Sequence, residues 1–553
     1  MLVRRSSLAA VFVGPISVAL AVPAPAQGFV ECTRTLHVLE GEAAGDSFGW
    51  VSSPVPDVNG DGAPEILVGA PFHAAGAGRA YLYDGRTGAE LFHADGLAGE
   101  NQGFAVRDAG DLDGDAIGDL VVGGPGSGGV SGVARVLSGV DGSELFTIRI
   151  GAASDAFGFS VCGAGDVDQD GVDDVAVGAR LEDTAGADAG AVFVVSGADG
   201  TTVLRSFFGV GAGDHFGSAL ALLGDVTGDG RPELVVGAMD AGTSRRGRAY
   251  VYDLAAGALL HTLAPDATTG AQFGQFFVAS AGEIDGDGFP DVYVGDYADN
   301  GGRGKAYFFS GTSGARLRTL AGGAGDGFGI GRPIGDLDGD GRTEMLLGSY
   351  TESAGASLAG KAEIFAGSDG HRLRTVTSTT AGEGFGFDAH GIGDLDGDGV
   401  PEMVVTAATH DGSRGRVYVV ARQPVAAFGA GLAGTGGLEP VLEFSGCPVL
   451  GGLVSLDVSN GRGGAAGTLL LGASLRALSY RGGTVYPGAP LLRMAHRLNG
   501  SLGAAGAGTT SMLETIPADP TLAGATFYAQ ALYVDGGAPL GVAFTAAVRI
   551  DVF

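Results

Sequence analysis

One short acidic pattern recurs seven times along this chain, and no other feature limits its fold so strongly. It reads D-x-D-x-D-G-x-x-[DE] and starts at Asp57, Asp111, Asp166, Asp225, Glu283, Asp336 and Asp394, at spacings of 54, 55, 59, 58, 53 and 58 residues. Self-similarity at such a period marks a repeat architecture, in which each unit completes its core against the next. An aromatic punctuation mark precedes each loop by seven to ten residues: Phe48-Gly49, Phe157-Gly158, Phe216-Gly217, Phe273-Gly274, Phe328-Gly329 and Phe385-Gly386. The second copy carries it reversed, as Gly103-Phe104.

Four strand signals fill each unit. A short apolar run leads into the loop, a run such as Ile66-Leu67-Val68 leaves it, an aromatic run such as Ala80-Tyr81-Leu82-Tyr83 follows, and a Gly/Asp turn introduces a fourth. Runs of this length, rich in Val and Tyr and bounded by turn residues, are strands. Glycine, 105 of 553 residues, supplies the positive-φ turn positions. Four-stranded units repeated seven times predict an all-β fold, a seven-bladed β-propeller, which leaves only short protected edges.

The last unit predicts how the ring closes. Its third strand, at 417–420, is followed by Ala421-Arg422-Gln423-Pro424 and no fourth strand. The missing strand stands at the other end of the chain, where 34–39 (RTLHVL) matches Arg318-Thr319-Leu320 and Arg374-Thr375-Val376. The resulting domain plan is a signal peptide over 1–26, the propeller over 27–422, and a C-terminal all-β, sandwich-like domain over 423–553. The C-terminal apolar segments are 453–458, 468–471, 527–533 and 542–552.

Oxygen side chains stand at positions one, three, five and nine of each loop. They are Asp57, Asn59, Asp61 and Glu65; Asp111, Asp113, Asp115 and Asp119; Asp166, Asp168, Asp170 and Asp174; Asp225, Thr227, Asp229 and Glu233; Glu283, Asp285, Asp287 and Asp291; Asp336, Asp338, Asp340 and Glu344; Asp394, Asp396, Asp398 and Glu402. Position seven can lend a backbone carbonyl, from Ala63, Ile117, Val172, Arg231, Phe289, Arg342 and Val400. Twenty-six of the chain's 63 acids sit at these positions. Two carboxylates about 4 Å apart repel by roughly 4 kcal/mol at an effective dielectric near 20. A calcium ion, which takes six to eight oxygens in flexible geometry, reverses that sign. The expectation is up to seven structural Ca2+ ions, with the second, fourth and fifth loops departing from the pattern at Ala116, Thr227 and Glu283.

The net charge of −31 excludes a nucleic-acid footprint and disfavours an anionic membrane surface. Arg4 and Arg5, an apolar stretch over 8–22 and Ala24-Pro25-Ala26 form an export-signal pattern. No later apolar segment is long enough for a transmembrane helix. Cys32, Cys162 and Cys447 allow at most one intrachain disulfide, and Cys162 falls in a strand as a core residue.

With Phe-Gly, the acidic loop and Gly69-Ala70-Pro71 in place, the unit resembles the FG-GAP repeat of the integrin α-chain N-terminal propeller, over about residues 34 to 422. The resemblance implies calcium in some blades and partner binding on the face away from the loops. All seven loops look competent here, which points to a bacterial-type secreted relative. The stretch at 516–535 resembles C-terminal modules of secreted bacterial proteins.

No catalytic constellation emerges. Gly45-Asp46-Ser47-Phe48-Gly49 matches the nucleophile elbow G-x-S-x-G, but the serine becomes Ala156, His215 and Gly327 in other repeats, so it is repeat punctuation. The nine histidines form no H-E-x-x-H, and Asn499-Gly500-Ser501 is the one sequon. The expected function is a secreted or cell-surface, non-catalytic binding or adhesion module for an extracellular protein or glycan. Candidate contacts are His73, Asp240, Arg245, Arg246, Tyr297, Tyr350 and Trp50. The alternatives are a lectin or polysaccharide-acting protein, or a bare scaffold. A lectin needs aromatics repeated at one loop position, and only Tyr297 and Tyr350 fit that expectation.

Overall fold

A computed structural model of the chain describes residues 28–552, except 267–271, 338, 398, 422–424, 429–430, 446, 449–450, 482, 489–490, 500 and 523–524. The export-signal pattern, Asp338, Asp398, Arg422-Gln423-Pro424 and Gly500 of the sequon lie outside the described residues. The chain divides into two units: Thr35–Ala421 with Gly28–Glu31, and residues 422–553 with Cys32–Arg34.

The first unit is a succession of four-stranded antiparallel meanders, seven among the described residues, arranged as propeller-like blades. The first comprises Val51–Val55, Glu65–Ala70, Arg79–Tyr83 and Glu90–Asp95. The last takes Ala389–Gly393, Glu402–Thr406 and Arg416–Val420 from one end of the sequence and Thr35–Glu40 from the other. Thr35 pairs with Val420 and Glu40 with Arg416, so the N-terminal strand supplies the fourth position that the last repeat lacks. The first strands of successive sheets neighbour one another all round, and Ala389–Gly393 returns to Val51–Val55.

Burial follows position in the meander. Every residue of the second strands is buried, as in Glu65–Ala70 and Glu233–Ala238, because both faces pack against neighbouring sheets. The fourth strands alternate toward solvent, as in Glu90–Asp95. The repeated phenylalanine fills the seam between blades. Phe48, Phe157, Phe216, Phe273, Phe328 and Phe385 are all at most 2% exposed. Phe48 meets Tyr81 and Tyr83 edge-on at 5.3 and 6.0 Å, a geometry that aromatic quadrupoles favour. A bridge from the preceding blade, Gly415 to Phe48, requires glycine, since a Cβ there would stand 1.9 Å from the Phe48 carbonyl oxygen.

The second copy corrects the reversed Phe-Gly reading. The bridge Gly78–Gln102 takes the place of Gly415–Phe48, so Gln102 occupies the phenylalanine slot. Its amide is satisfied there by the Ala94 carbonyl at 3.1 Å and by Arg135. Phe104 lies two residues further on, where the first repeat has Trp50.

The second unit holds a six-stranded sheet, a three-stranded sheet and the hairpin Leu475–Tyr480/Gly483–Pro487. Leu442, Val454, Leu456 and Val458 of the smaller sheet share one core with Leu469, Leu471, Ala529, Ala531 and Val548 of the larger, which makes a sandwich. The segment expected over 542–552 is two strands, Val542–Phe544 and Ala547–Asp551, both paired with Thr526–Val534. The break falls at Thr545, whose hydroxyl accepts from the Ala531 amide at 3.0 Å and takes over a ladder position.

Candidate functional sites

Each acidic loop joins the first and second strands of a sheet and is ordered by its own carboxylates. Asp57 accepts from the amides of Gly60 and Gly62, each at 2.7 Å, and these bonds, Gly62's first, hold its carboxyl below the usual aspartate range. The same pair of bonds recurs at Asp111, Asp225, Glu283, Asp336 and Asp394. Asp166 accepts instead from Asp170 and Gly171. Position five accepts the position-seven amide, as Asp61 does from Ala63 at 2.8 Å and Asp229 from Arg231 at 2.9 Å. The equivalent amides of Ile117, Val172, Phe289 and Arg342 go to Asp115, Asp170, Asp287 and Asp340.

Position six has positive φ throughout, +85° at Gly62 and +92° at Gly171, which explains its glycine. Ala116 adopts +70° in the second loop, so that loop keeps its shape at a cost in strain.

Position nine is buried. Glu65, Asp119, Asp174, Asp291, Glu344 and Glu402 are 0% exposed and Glu233 is 1%. One oxygen accepts from the position-two amide, as Glu65 does from Val58 at 3.0 Å. Burial and neighbouring loop acids push Glu65 up to about 7, and Asp119, Asp174 and Asp291 to about 6. Glu65 Oε1 is buried with no hydrogen-bond partner, an oxygen that a cation in the loop would satisfy.

Five loops bring three carboxylates together with oxygens within 4.8 Å of one another: Asp111, Asp113 and Asp115; Asp166, Asp168 and Asp174; Asp225, Asp229 and Glu233; Glu283, Asp285 and Asp291; Asp394, Asp396 and Glu402. Oxygen-only, like-charged donor sets of this kind fit a hard divalent cation. Thr227 turns its hydroxyl to Glu233 Oε1 at 3.0 Å. Asn59 accepts the Asp61 amide at 2.9 Å, while Asp61 leans on Arg86 at 3.3 Å, an internal cation that the spacing did not reveal.

The Phe-Gly ends of the blades build a different site. Eight rings form a closed circle of contacts: Trp50–Phe104 at 5.4 Å, Phe104–Phe159 at 4.9 Å, Phe159–Phe276 at 5.6 Å, Phe276–Phe277 at 6.1 Å, Phe277–Tyr297 at 6.3 Å, Tyr297–Tyr350 at 6.3 Å, Tyr350–Phe387 at 5.4 Å and Phe387–Trp50 at 5.2 Å. Phe276 also reaches across to Trp50 at 6.5 Å and Phe104 at 6.4 Å, and the eight rings line a chamber of about 250 Å3. Trp50, Phe104, Phe159 and Phe387 all occupy the residue after Phe-Gly or its equivalent. Aromatics therefore do repeat at one position in several blades, which corrects the expectation that only Tyr297 and Tyr350 do so. The other expected contacts are engaged locally: His73 pairs with Asp46 at 2.9 Å, Asp240 with His215 at 2.7 Å, and Arg245 reaches Asp240 at 3.4 Å.

Four-stranded meanders, seam phenylalanines and acidic inter-strand loops define a repeat propeller with candidate cation sites. The FG-GAP repeat matches residues 48–83, 157–195, 216–252 and 391–420, and an FG-GAP-like repeat matches 336–405. The chain thus carries FG-GAP repeats over part of its length, and the comparisons support an integrin α-like β-propeller. It is 38% identical over 167 residues to integrin alpha-IIb of Homo sapiens, covering 26% of this chain and 16% of that one. It is 29% identical over 210 residues to integrin alpha-5 of Xenopus laevis, covering 35% and 20%. The chain thus spans a fifth or less of these relatives' length. A solved structure described as "Structure of Dos1 propeller" aligns over 65% of this chain and 74% of its own, at 12% identity and a TM-score of 0.38. Among the described residues no helix is long and apolar enough to cross a membrane.

Proposed function

We propose that the chain is an extracytoplasmic, non-catalytic binding module, stabilised by calcium in its acidic loops and engaging a protein or glycan through the opposite face. The observation that carries this reading is the division of labour along each blade. The loops gather carboxylates at one end of the strands, and the Phe-Gly ends gather eight aromatic rings around a chamber. The loops would hold calcium through Asp, Asn and Glu oxygens, and the ion would supply charge neutralisation and rigidity. The integrin α relatives support a binding role.

The lectin form of this reading gains from the aromatic circle, because ring faces stack against the apolar faces of sugars. The test is a screen of the full chain against glycan and matrix-protein arrays, with calcium and with chelator. Calcium-dependent capture that Trp50→Ala or Tyr350→Ala abolishes is expected. Capture unaffected by both substitutions, or none on either array, would sink the assignment of this face.

A further inference from the structure

Below the aromatic circle the channel carries two arginines in unequal circumstances. Arg332 is committed to protein: Nη1 donates to the Ser52 carbonyl at 2.8 Å and Nη2 pairs with Asp388. Asp388 is saturated in turn, accepting from the amides of Ser52 at 3.0 Å and Ala389 at 2.9 Å. Arg107 donates Nη1 to the Val106 carbonyl at 2.7 Å, and among the described residues no carboxylate lies within ion-pairing distance of it. Its side chain lines both the aromatic chamber and a second chamber of about 430 Å3 on the other side. Burial and the neighbouring Arg332 pull Arg107 down to about 9, so it is protonated at neutral pH. The charged groups lining the aromatic chamber are Arg107, Arg332 and Asp388, so two cations share one carboxylate, and an anion entering the chamber would offset the excess positive charge.

We propose that this channel is a binding site for a carboxylate carried on a single ring, the carboxylate on Arg107 and the ring against the aromatic wall. The guanidinium edge matches a carboxylate in geometry as well as charge, which a point charge would not. The wall supplies aromatic surface at Trp50, Phe104 and Phe387, while the Phe159 ring is already engaged by Arg180 at 4.3 Å and by Phe276 at 5.6 Å. The chain's net charge of −31 repels a long polyanion, so the ligand is a small acid or a single acidic terminus. An aromatic acid and a uronic sugar share this chemistry. The inference rests on the reading of this face as a binding surface and specifies what it takes.

Trp50 is the chain's one tryptophan and lines the chamber, so its emission reports directly on occupancy. The full chain is titrated with benzoate and with glucuronate, and in parallel with their uncharged counterparts benzyl alcohol and glucose. Saturable change with at least one carboxylate, a silent uncharged counterpart, and about tenfold or greater weakening in Arg107→Gln are expected. Which acid binds tells the two sources apart. The comparison of charged and uncharged probes on the unaltered chain stands even if Arg107→Gln does not fold. Emission unmoved by either acid up to about 10 mM, or moved equally by the uncharged probe, overturns the site. Array capture by a chain whose Trp50 ignores both acids overturns this site alone and leaves the binding face standing.

Discussion

Withdrawing the calcium proposed for the acidic loops is the sharpest perturbation of this molecule, because its effect can be sized in advance. Five loops among the described residues bring three carboxylates within reach of one ion. With dissociation constants near 10⁻⁴ M, typical of extracellular modules, about 1 mM calcium stabilises each site by roughly 1.4 kcal/mol, and five sites by about 7 kcal/mol. The propeller unit spans Thr35–Ala421. At about 2.1 cal/mol/K per residue, a unit of roughly 390 residues unfolds with an entropy near 0.8 kcal/mol/K, so excess EGTA should lower its melting temperature by about 9 °C. Calorimetry of the full chain, with magnesium as a control that should restore little, reads the shift. A melt unchanged by EGTA would refute the claim that the ions are structural.

The chelated protein should show an inverted pH dependence. Glu65, Asp119, Asp174 and Asp291 have folded pKa values raised above their unfolded ones, so the stability they contribute is present below about pH 4 and is lost as pH rises through about 6 to 7. Calcium should reverse that slope, and melts at pH 4.5 and 7.5 with and without EGTA test the sign. Ala116→Gly should stabilise by about 1 kcal/mol, since φ is +70° there, measured by urea unfolding. Phe48→Ala should cost about 3–5 kcal/mol, because the ring is 1% exposed and fills a seam between blades; a loss under about 1 kcal/mol would contradict that packing.

Much of this architecture was legible because each repeat states the same thing again. Asp at alternate positions, glycine at position six and a buried acid at position nine give the loop from Asp57 to Glu65, and the loop from Asp394 to Glu402 repeats it. The displaced fourth strand was legible too, from the likeness of 34–39 to 318–320. What escaped depends on neighbours from other repeats. Gln102 takes a phenylalanine slot because Arg135 and the Ala94 carbonyl satisfy its amide, and both partners lie outside the motif. The aromatic circle combines the position after Phe-Gly, aromatic in four repeats, with Tyr297 and Tyr350, which share a second register, and with Phe276 and Phe277, which fit none. The pattern shows which residues are equivalent, and only the ring shows that they converge. Arg86 at Asp61 and the break at Thr545 are single-copy events, which periodicity averages away.

The pairing of Thr35–Glu40 with Arg416–Val420 sets an order of events in time. A chain that leaves the ribosome, or crosses a membrane, from its N-terminus exposes Thr35 first and its partner Val420 385 residues later. At about 5–20 residues per second the first strand waits roughly 20–80 s with its hydrogen-bonding edge unpaired. The other blades can form by local contacts in that interval, but the one that takes Thr35–Glu40 is completed only once Arg416–Val420 has been made. The last-made blade is therefore the one whose failure leaves the ring open, with two unpaired strand edges ready to join another copy.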